Sequence, residues 1–540
     1  MMLVAAALVA PGSGGASPPP QLGPIVEVTA REPTTGGQGP ADQQPTLVLL
    51  RPMAAAGPPP AAMLVWQSGR GDPNGSALWY STISFAADPQ RDRYTLPRPL
   101  SGLDDGALES NPTCVLADLG PLCAWTSWPA HNPSPGAGAG PVVRLARYDR
   151  SLSAWAPSTS LPLDADSATP WQEQPALAVD PQGGVAIAYV SQDPSVVGDP
   201  SGAILLSRTL DGIHFLPAVE VSPHDNDAAE DSPTVAFHGD RIFVVFRTHD
   251  EELGAGEDWD LALGVRWRED LSPDPQAPTT VPLTGSDHGL APGAADPDEQ
   301  EPRMVSSPPG IGPQTGPYLL WVQGDRLYPG HRQLLAMPLD LDGGADAPQE
   351  LSLPRSRDTA DQPSGGWAIG RWASGQGLQV LGSAPMVAYR TGEKELTGLG
   401  DFDIILVADG EQINIVGDDS SGDPPERHAP MDLGPALLPL PPARSARGGI
   451  HVATDSGGAL VCWASELTDG GHVDLDIRCR RWGVGVMPIG DTSIAPSALL
   501  GPLVLAMLWA ISTKVRTTGD APTYDTTQGR GRQVRRTLGR

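Results

Sequence analysis

The sequence predicts an all-β fold, a β-propeller of about seven four-stranded blades, and three recurring features carry that prediction. A strand end made of an aromatic residue and then a small polar position returns through the chain. Upstream of most copies stands an acidic or amide residue three positions before a proline. Downstream comes a strand, a tight Asp/Gly turn and another strand. Four-stranded units of this kind cannot bury both faces alone, so repeating them around a ring is how their apolar faces leave water.

The strand ends are Trp66-Gln67-Ser68, Trp125-Thr126-Ser127, Tyr189-Val190-Ser191, Phe246-Arg247-Thr248, Trp321-Val322-Gln323, Tyr389-Arg390-Thr391 and Trp463-Ala464-Ser465, spaced 57 to 75 residues apart. Each closes an apolar run such as GVAIAY, RIFVVF or GALVCW, the pattern of a strand buried on both faces. The proline signal reads Asp42/Pro45, Glu109/Pro112, Gln172/Pro175, Glu230/Pro233 and Glu299/Pro302. Proline donates no ladder hydrogen bond, which suits the first position of a strand. The third feature is seen in AILLSRTLDGIHFLPAVEVS, VVRLARYDRSLSAWAPSTSLP and QLLAMPLDLDGGADAPQELSLP.

These signals place a propeller over residues 21–490, with blades near 45–101, 109–163, 172–223, 230–284, 299–354, 363–418 and 428–483. The segment 24–31 (PIVEVTAR) reads as an outer strand without a blade of its own, able to pair with the last blade and close the ring. Two adjacent β-sandwiches built from the same strands are the alternative architecture.

The ends differ from the body. Residues 1–20 combine the apolar run MMLVAAALVA with a Pro/Gly-rich stretch and read as an export signal, although a basic leading segment is absent. Residues 494–513 carry no charge and have the length of a transmembrane helix. In 514–540, seven basic residues face Asp520 and Asp525, a disordered tail of net charge +5 with the bias of a cytoplasmic segment. Together they predict an exported protein, periplasmic or at the cell surface, membrane-anchored with its tail inside; the two lysines, Lys394 and Lys514, beside 33 arginines in an Ala/Gly/Pro-rich background read as the codon bias of a GC-rich bacterial genome.

Cysteine placement tests that compartment. Cys114 and Cys123 flank Asp118-Leu119-Gly120, and Cys462 and Cys479 flank Thr468-Asp469-Gly470-Gly471, each pair nearly equidistant from its turn. Equal distance from a hairpin turn sets two residues opposite one another on neighbouring strands, where disulfides fit. Disulfides persist outside the cytoplasm. Buried free thiols are the other reading of the same positions.

Composition excludes some functions. Lys plus Arg number 35 against 64 Asp plus Glu, a net charge of -29, which disfavours nucleic acid as a partner and favours a cationic one. Gly (63) and Pro (60) would signal disorder were the apolar strands not so regular. Nucleophile-elbow, phosphate-loop, dinucleotide, HExxH and Cys-x-x-Cys motifs are all absent, so redox, nucleotide and zinc-protease chemistry fall away.

The run Gln174-Pro175-Ala176-Leu177-Ala178-Val179-Asp180-Pro181-Gln182-Gly183-Gly184 leads to Tyr189, and Ser207-Arg208-Thr209-Leu210-Asp211-Gly212 leads to Phe215. On these residues the chain resembles the sialidase-like, or Asp-box, propeller superfamily, over roughly Gln44 to Trp482 as an architecture. The motif is specific in one blade, whose Asp-box is one residue short. The resemblance implies that loops entering each blade and loops after each second strand share one face.

That face is acidic. Entry loops carry Asp104, Asp105 and Glu109; Asp164, Asp166 and Glu173; His224, Asp225, Asp227, Glu230 and Asp231; Asp296, Asp298, Glu299 and Glu301; and Asp418, Asp419, Asp423 and Glu426. Second-strand loops add His249, Asp250, Glu251, Glu252, Glu257, Asp258 and Asp260. Clustered carboxylates are ligands for calcium, with Asp225, Asp227, Asp250 and Asp258 as the metal candidates, although no loop has a full ligand spacing. Asp340 to Asp346 (DLDGGAD) fits a calcium loop as well as it fits turn capping. Solvated charge, or a cationic surface protein held by it, are the competing readings.

Of 14 tryptophans, Trp66, Trp125, Trp321 and Trp463 occupy the core position, whereas Trp128, Trp171, Trp259 and Trp367 fall in loops assigned to the acidic face. Tryptophan beside carboxylates suits a glycan: rings stack on sugar faces, and Glu173, Glu230, Asp231, Asp250 and Glu299 take hydroxyls. Packing between blades is the alternative use of the same rings. For an enzyme, the resemblance implies an arginine triad, a tyrosine nucleophile with a glutamate, and an acid/base aspartate. Arg247, Arg371 and Arg390 are the candidates for the triad. However, the family's early Arg-Ile-Pro motif is absent, and Tyr189 and Tyr389 fill core positions. The sequence therefore favours a ligand-binding propeller, with a sialidase-like glycoside hydrolase and a structural scaffold as the alternatives.

Overall fold

In the computed structural model the described residues are 20–29, 42–50, 61–69, 76–86, 92–101, 107–128, 140–161, 171–192, 202–212, 214–222, 228–249, 259–272, 280–284, 299–305, 317–324, 332–339, 349–350, 358–367, 371–374, 377–380, 385–393, 402–408, 411–414, 449–455, 458–469 and 472–484. The chain divides into two compact units, Met1–Val486 and Met487–Arg540, and all described residues lie in the first.

Every described element is a strand. Blade 1 runs Asp42–Leu49, Ala62–Ser68, Ala77–Ser84, with Arg93–Tyr94 and Arg98–Pro99 on its edge. Blade 2 is Leu108–Ala117, Gly120–Trp128, Val142–Asp149, edged by Ala154–Trp155 and Thr159–Ser160. Blade 3 is Trp171–Val179, Val185–Gln192, Gly202–Thr209 and Val219–Glu220. Blade 4 is Glu230–His238, Arg241–Thr248, Asp260–Trp267 and Val281–Pro282. Blade 5 is Glu299–Val305, Tyr318–Gly324, Arg332–Pro338 and Gln349–Glu350.

A further sheet joins Asp358–Trp367, Pro385–Glu393, Phe402–Ala408 and Glu411–Asn414, and the hairpin Arg371–Ser374/Gly377–Val380 is inserted after its first strand. The closing blade is Ile450–Asp455, Gly458–Asp469 and His472–Val484, and its outer strand is Pro20–Glu27 from the other end of the chain. First strands touch their neighbours in a closed cycle, which makes the assembly a β-propeller. Against an expected count of about seven units, six blades carry a described side-chain core. The sheet starting at Asp358 is described through its backbone, Val387 apart.

The recurring aromatic is the centre of each core. Trp66, Trp125, Tyr189, Phe246, Trp321 and Trp463 sit on second strands and are 0 to 3 % exposed. Each hydrophobic cluster spans two neighbouring blades; one joins Ala186, Val190 and Ile204 of blade 3 to Val244, Phe246 and Ala262 of blade 4. Burial between blades is therefore what turns separate hairpins into one ring.

Ring closure is built as the sequence suggested, with shifted bounds. Pro20–Glu27 pairs antiparallel with His472–Val484, Arg480 donates from Nε to the Gly23 carbonyl at 2.7 Å, and Val28 N donates to Ile477 O at 2.9 Å. Both disulfides form. Cys114–Cys123 and Cys462–Cys479 each join directly opposite residues of adjacent strands. The apolar stretch 494–513, the tail 514–540 and residues 1–19 lie outside the described residues. Among the described residues no helix is long and apolar enough to cross a membrane.

Proline does not open the first strands. These begin three or four residues earlier, and the ladder slips at the proline in blades 1 to 5, with shifts at Gln43/Thr46, Ser110/Thr113, Glu173/Ala176, Asp231/Thr234 and Gln300/Arg303. The residue before each proline takes a left-handed backbone: Gln44, Asn111, Gln174, Ser232 and Glu301 have φ of 52 to 57°. A β-bulge leaves one residue out of the ladder, so proline's missing donor costs nothing there.

Candidate functional site

Strand pairing settles which connections share an end of the ring. Glu230 opens the first strand of blade 4, pairs with Thr248 at the end of the second, and Thr248 pairs with Asp260 at the start of the third. Connections into a blade and after its second strand therefore leave from the same end. Much of the acidic surface assigned to that end, including Asp104, Asp105, Asp164, Asp166, 224–227, 250–258, Asp296, Asp298 and 418–426, lies outside the described residues. All four metal candidates, Asp225, Asp227, Asp250 and Asp258, are among them. Among the described residues no group of three or more His, Cys, Asp or Glu side chains is gathered to hold a metal ion.

The two repeated sequence signals turn out to be halves of one contact. The acidic or amide residue three before proline lies opposite the small polar residue that follows the aromatic: Asp42 faces Ser68, Glu109 faces Ser127, Gln172 faces Ser191 and Glu230 faces Thr248. These residues are buried. Ser127 donates from Oγ to Glu109 Oε1 at 3.1 Å, and Trp66 donates from Nε1 to Asp42 Oδ1 at 3.2 Å. Glu230 is 3 % exposed, so this carboxylate is part of the blade and not of an open ligand surface. Glu299 holds the same place in blade 5, opposite Gln323.

One position further along, residue types match across the strands in blades 1, 2 and 4 and in the sheet that starts at Asp358, but not in blades 3 and 5. Gln43 faces Gln67 and donates from Nε2 to its Oε1 at 3.1 Å; Ser110 faces Thr126; Asp231 faces Arg247; Asp361 faces Arg390. Arginine thus appears where its partner is aspartate. Arg247 grips Asp231 with both Nε to Oδ1 and Nη2 to Oδ2 at 2.7 Å, and its Nε also reaches Ser232 Oγ at 3.1 Å. Ser232 Oγ donates to Asp231 as well. Such a two-point charge-assisted pair fixes the guanidinium in place. Glu173, at the equivalent place in blade 3, lies opposite Val190 and is half-buried.

Trp259 completes this cluster. The Arg247 guanidinium carbon lies 4.4 Å from its ring centroid, and the His249 ring meets it edge-on at 4.3 Å. Asp231, Ser232, Arg247, His249 and Trp259 therefore form one partly exposed polar and aromatic patch at the loop end of blade 4. Aromatic rings bracketed in this way keep a fixed orientation, and the Trp259 ring stays partly exposed.

The other tryptophans separate. Trp171 opens the first strand of blade 3 against blade 2. A Cβ on Gly140 would meet its ring at 1.7 Å, so the glycine lets the backbone lie on the indole, and Gln172 N donates to Pro141 O at 2.8 Å. Trp128 ends the second strand of blade 2 opposite Leu108, half-buried at the loop end. Trp367 ends a first strand opposite Pro385, which puts it at the other end of its sheet from the assigned face. Arg371 follows in the hairpin inserted at that same far end. Arg247, Arg371 and Arg390 accordingly do not share one end of the ring, and Arg247 already has a carboxylate.

Sequence reasoning passed over two features. One is a chain of side-chain acceptors that caps the inner strand edges between blades. Gln44 Oε1 accepts from Asn111 N at 2.7 Å, Thr126 Oγ1 from Gln174 N at 3.0 Å, Gln174 Oε1 from Ser232 N at 2.8 Å and Thr234 Oγ1 from Met304 N at 2.9 Å. Part of its signal was present: the acceptors Gln44 and Gln174 stand directly before prolines, whereas Thr126 and Thr234 do not. The other is buried arginine. Arg208, Arg266, Arg268 and Arg481 are 2 to 8 % exposed. They run between blades, Arg266 to the Glu220 carbonyl at 2.7 Å and Arg481 to Asp92 at 3.1 Å and over the Phe85 ring. Burial lowers the Arg266 pKa from its ordinary value.

At the opposite end, the Asp-box resemblance of blade 3 is a capped turn. Asp211 Oδ1 accepts from His214 N at 2.7 Å, Thr209 Oγ1 accepts from Gly212 N at 2.9 Å, and Gly212 takes φ of 69°. Asp149 and Asp270 cap the corresponding turns of blades 2 and 4 through Ser151 and Ser272, whose hydroxyls hold both carboxyls below their ordinary pKa.

Solved structures similar to this chain are propellers. Trypanosoma rangeli sialidase in complex with sialic acid aligns at 8% identity over 88% of this chain and 60% of that one, with a TM-score of 0.41. Penicillium chrysogenum alpha-L-arabinanase aligns at 13% identity over 69% and 94%, TM-score 0.37. The parainfluenza virus 5 hemagglutinin-neuraminidase ectodomain aligns at 11% identity over 72% and 82%, TM-score 0.37. No family model matches the sequence, and no curated protein matches it.

Proposed function

We propose that this chain is an exported propeller that binds carbohydrate at the loop end of blade 4 and does not hydrolyse it. The carrying observation is the Asp231–Arg247–Trp259–His249 patch. It offers a fixed indole beside hydrogen-bonding groups, the combination that sugar recognition uses. The non-catalytic reading is supported by the pairing of Arg247 with Asp231, which makes this guanidinium less available to a substrate carboxylate. Export rests on the two disulfides, which a reducing cytoplasm does not sustain.

The test is a glycan-binding panel together with fluorogenic sialosides and neutral glycosides, applied to the purified full-length chain with and without calcium. Binding that falls at least tenfold in Trp259→Ala, with no turnover of any substrate, is the expected result. Turnover that disappears in Arg247→Ala would instead make the chain a hydrolase. Glycan binding unchanged in Trp259→Ala would remove the site from blade 4.

A further inference from the structure

One position of the first strands, directly after the proline, holds small residues in most blades: Thr46, Thr113, Ala176, Thr234 and Ser364. Register identifies the equivalent places where no alignment is obvious. Each of these residues pairs with the residue just before the core aromatic: Thr46 with Val65, Thr113 with Ala124, Ala176 with Ala188, Thr234 with Val245 and Ser364 with Ala388. By the same criterion blade 5 contributes Arg303, opposite Leu320, and the closing blade contributes His451, opposite Cys462. The closing blade has no proline there, so the sequence repeat alone does not reveal the equivalence.

Thr234 and His451 do the same work. Thr234 Oγ1 accepts the Met304 amide of the next blade at 2.9 Å, and His451 Nδ1 accepts the Leu47 amide of blade 1 at 3.3 Å. Met304 and Leu47 each stand two residues after their proline, on the inner edge of a first strand that has no further strand to pair with. A threonine hydroxyl accepts at any pH. An imidazole nitrogen accepts only while it is unprotonated.

We propose that His451 is a proton-sensitive latch at the junction where the closing blade meets blade 1. Neutral, it caps the inner edge of blade 1; protonated, it presents a second donor to the Leu47 amide and the cap is lost. Among the described charged groups, Arg303 is the one that acts on it, and a nearby cation opposes protonation. Blade 1 presents Thr46 and Leu47 at this level, and the paired strand of the closing blade presents Cys462, all uncharged. Burial and Arg303 together push the His451 pKa from 6.5 down to about 4.

The sign follows directly. Between pH 6.5 and about 4 the unfolded chain takes up a proton that the folded chain refuses, so stability falls as pH falls through that window and levels off below it. The junction does not come apart on this contact alone, because Leu47, Trp66, Leu460 and Ile477 share one apolar cluster across it.

The experiment compares wild type with His451→Thr, which installs the acceptor used in blade 4, and with His451→Gln as a second non-titrating acceptor. Urea unfolding of the full-length chain is followed at intervals from pH 7.5 to 4. Relative to either variant, wild type should lose about 150-fold in its folding constant between pH 7.5 and 4. Amide exchange of the wild type provides the arm that needs no variant. Protection at Leu47, corrected for intrinsic rate, should fall below pH 6 while that at Met304 holds. Parallel stability curves, or equal pH dependence at the two amides, would overturn the latch.

Discussion

Replacing Asp180 by alanine should destabilise the propeller by about 3–5 kcal/mol, as expected when one member of a buried ion pair is removed. Asp180 sits in the first hairpin turn of blade 3 and is 1 % exposed. It accepts from Arg208 Nη2 at 2.6 Å and from Gln182 N at 2.8 Å, with Arg268 Nη1 at 3.8 Å. Arg208 continues to the Arg268 carbonyl at 2.8 Å, and Arg268 to the Gly239 carbonyl at 3.1 Å, so the carboxylate neutralises two guanidiniums that stitch blade 3 to blade 4. In Asp180→Ala both cations stay buried. Arg268 retains Asp240 at 3.8 Å, but that carboxylate is 71 % exposed and screened. Urea unfolding followed by tryptophan fluorescence measures the loss. The double variant Asp180→Leu/Arg208→Met, which removes charge from both sides, should recover more than half of it. A loss below about 1 kcal/mol in Asp180→Ala would mean that water reaches the arginines and that the buried-pair reasoning is wrong.

Further expectations concern closure, caps and disulfides. Thr234→Val keeps shape but leaves the Met304 amide without its acceptor, and should cost about 1–3 kcal/mol by urea unfolding. Removing Cys462–Cys479, which spans 17 residues, should cost about 3 kcal/mol, slightly more than Cys114–Cys123, which spans 9; thermal scans of the paired Cys→Ser variants check the order. Trp171→Ala should destabilise the chain without weakening glycan binding, whereas Trp259→Ala should do the reverse, a split read by running both assays on both variants. Asp149 and Asp270, held low by their serines, contribute stability above the ordinary carboxylate pKa, and that contribution fades as pH falls through their lowered values. Ser151→Ala and Ser272→Ala should therefore flatten the acid limb of the unfolding curve.

Much of the fold was legible because it repeats. The aromatic of each second strand, the turns between strands, the cysteine pairs and the spare N-terminal strand all follow from local pattern: burial demands an apolar run, turns demand Asp and Gly, and a ring with free edges demands a closing strand. These features recur with the chain's own periodicity, so self-comparison brings them out. What periodicity does not carry is the direction in which an unusual residue is satisfied. Arg247 and Arg390 stood out as exceptions among the strand ends, and a substrate could have explained them. Pairing shows that Asp231 and Asp361 lie directly opposite them, sixteen and twenty-nine residues earlier in the chain.

The same holds for the carboxylates and tryptophans once assigned together to one surface. Glu109 and Glu230 are buried rungs of the ladder and Trp171 lies on Gly140, because register and not loop membership decides which way these side chains face, and the backbone of Trp367 falls at the far end of its sheet. By itself the sequence predicted a β-propeller closed by its first strand and two cross-strand cysteine pairs, since these depend on patterns within or between neighbouring strands, and the structure chose them over adjacent sandwiches and free thiols. Only the tertiary structure decided that the prolines sit in bulges, that arginines join the blades, and that His451 takes a threonine's place at the final junction. Those contacts bridge residues up to 404 positions apart, and their partners are chosen by packing around the ring rather than by anything a local stretch of chain contains.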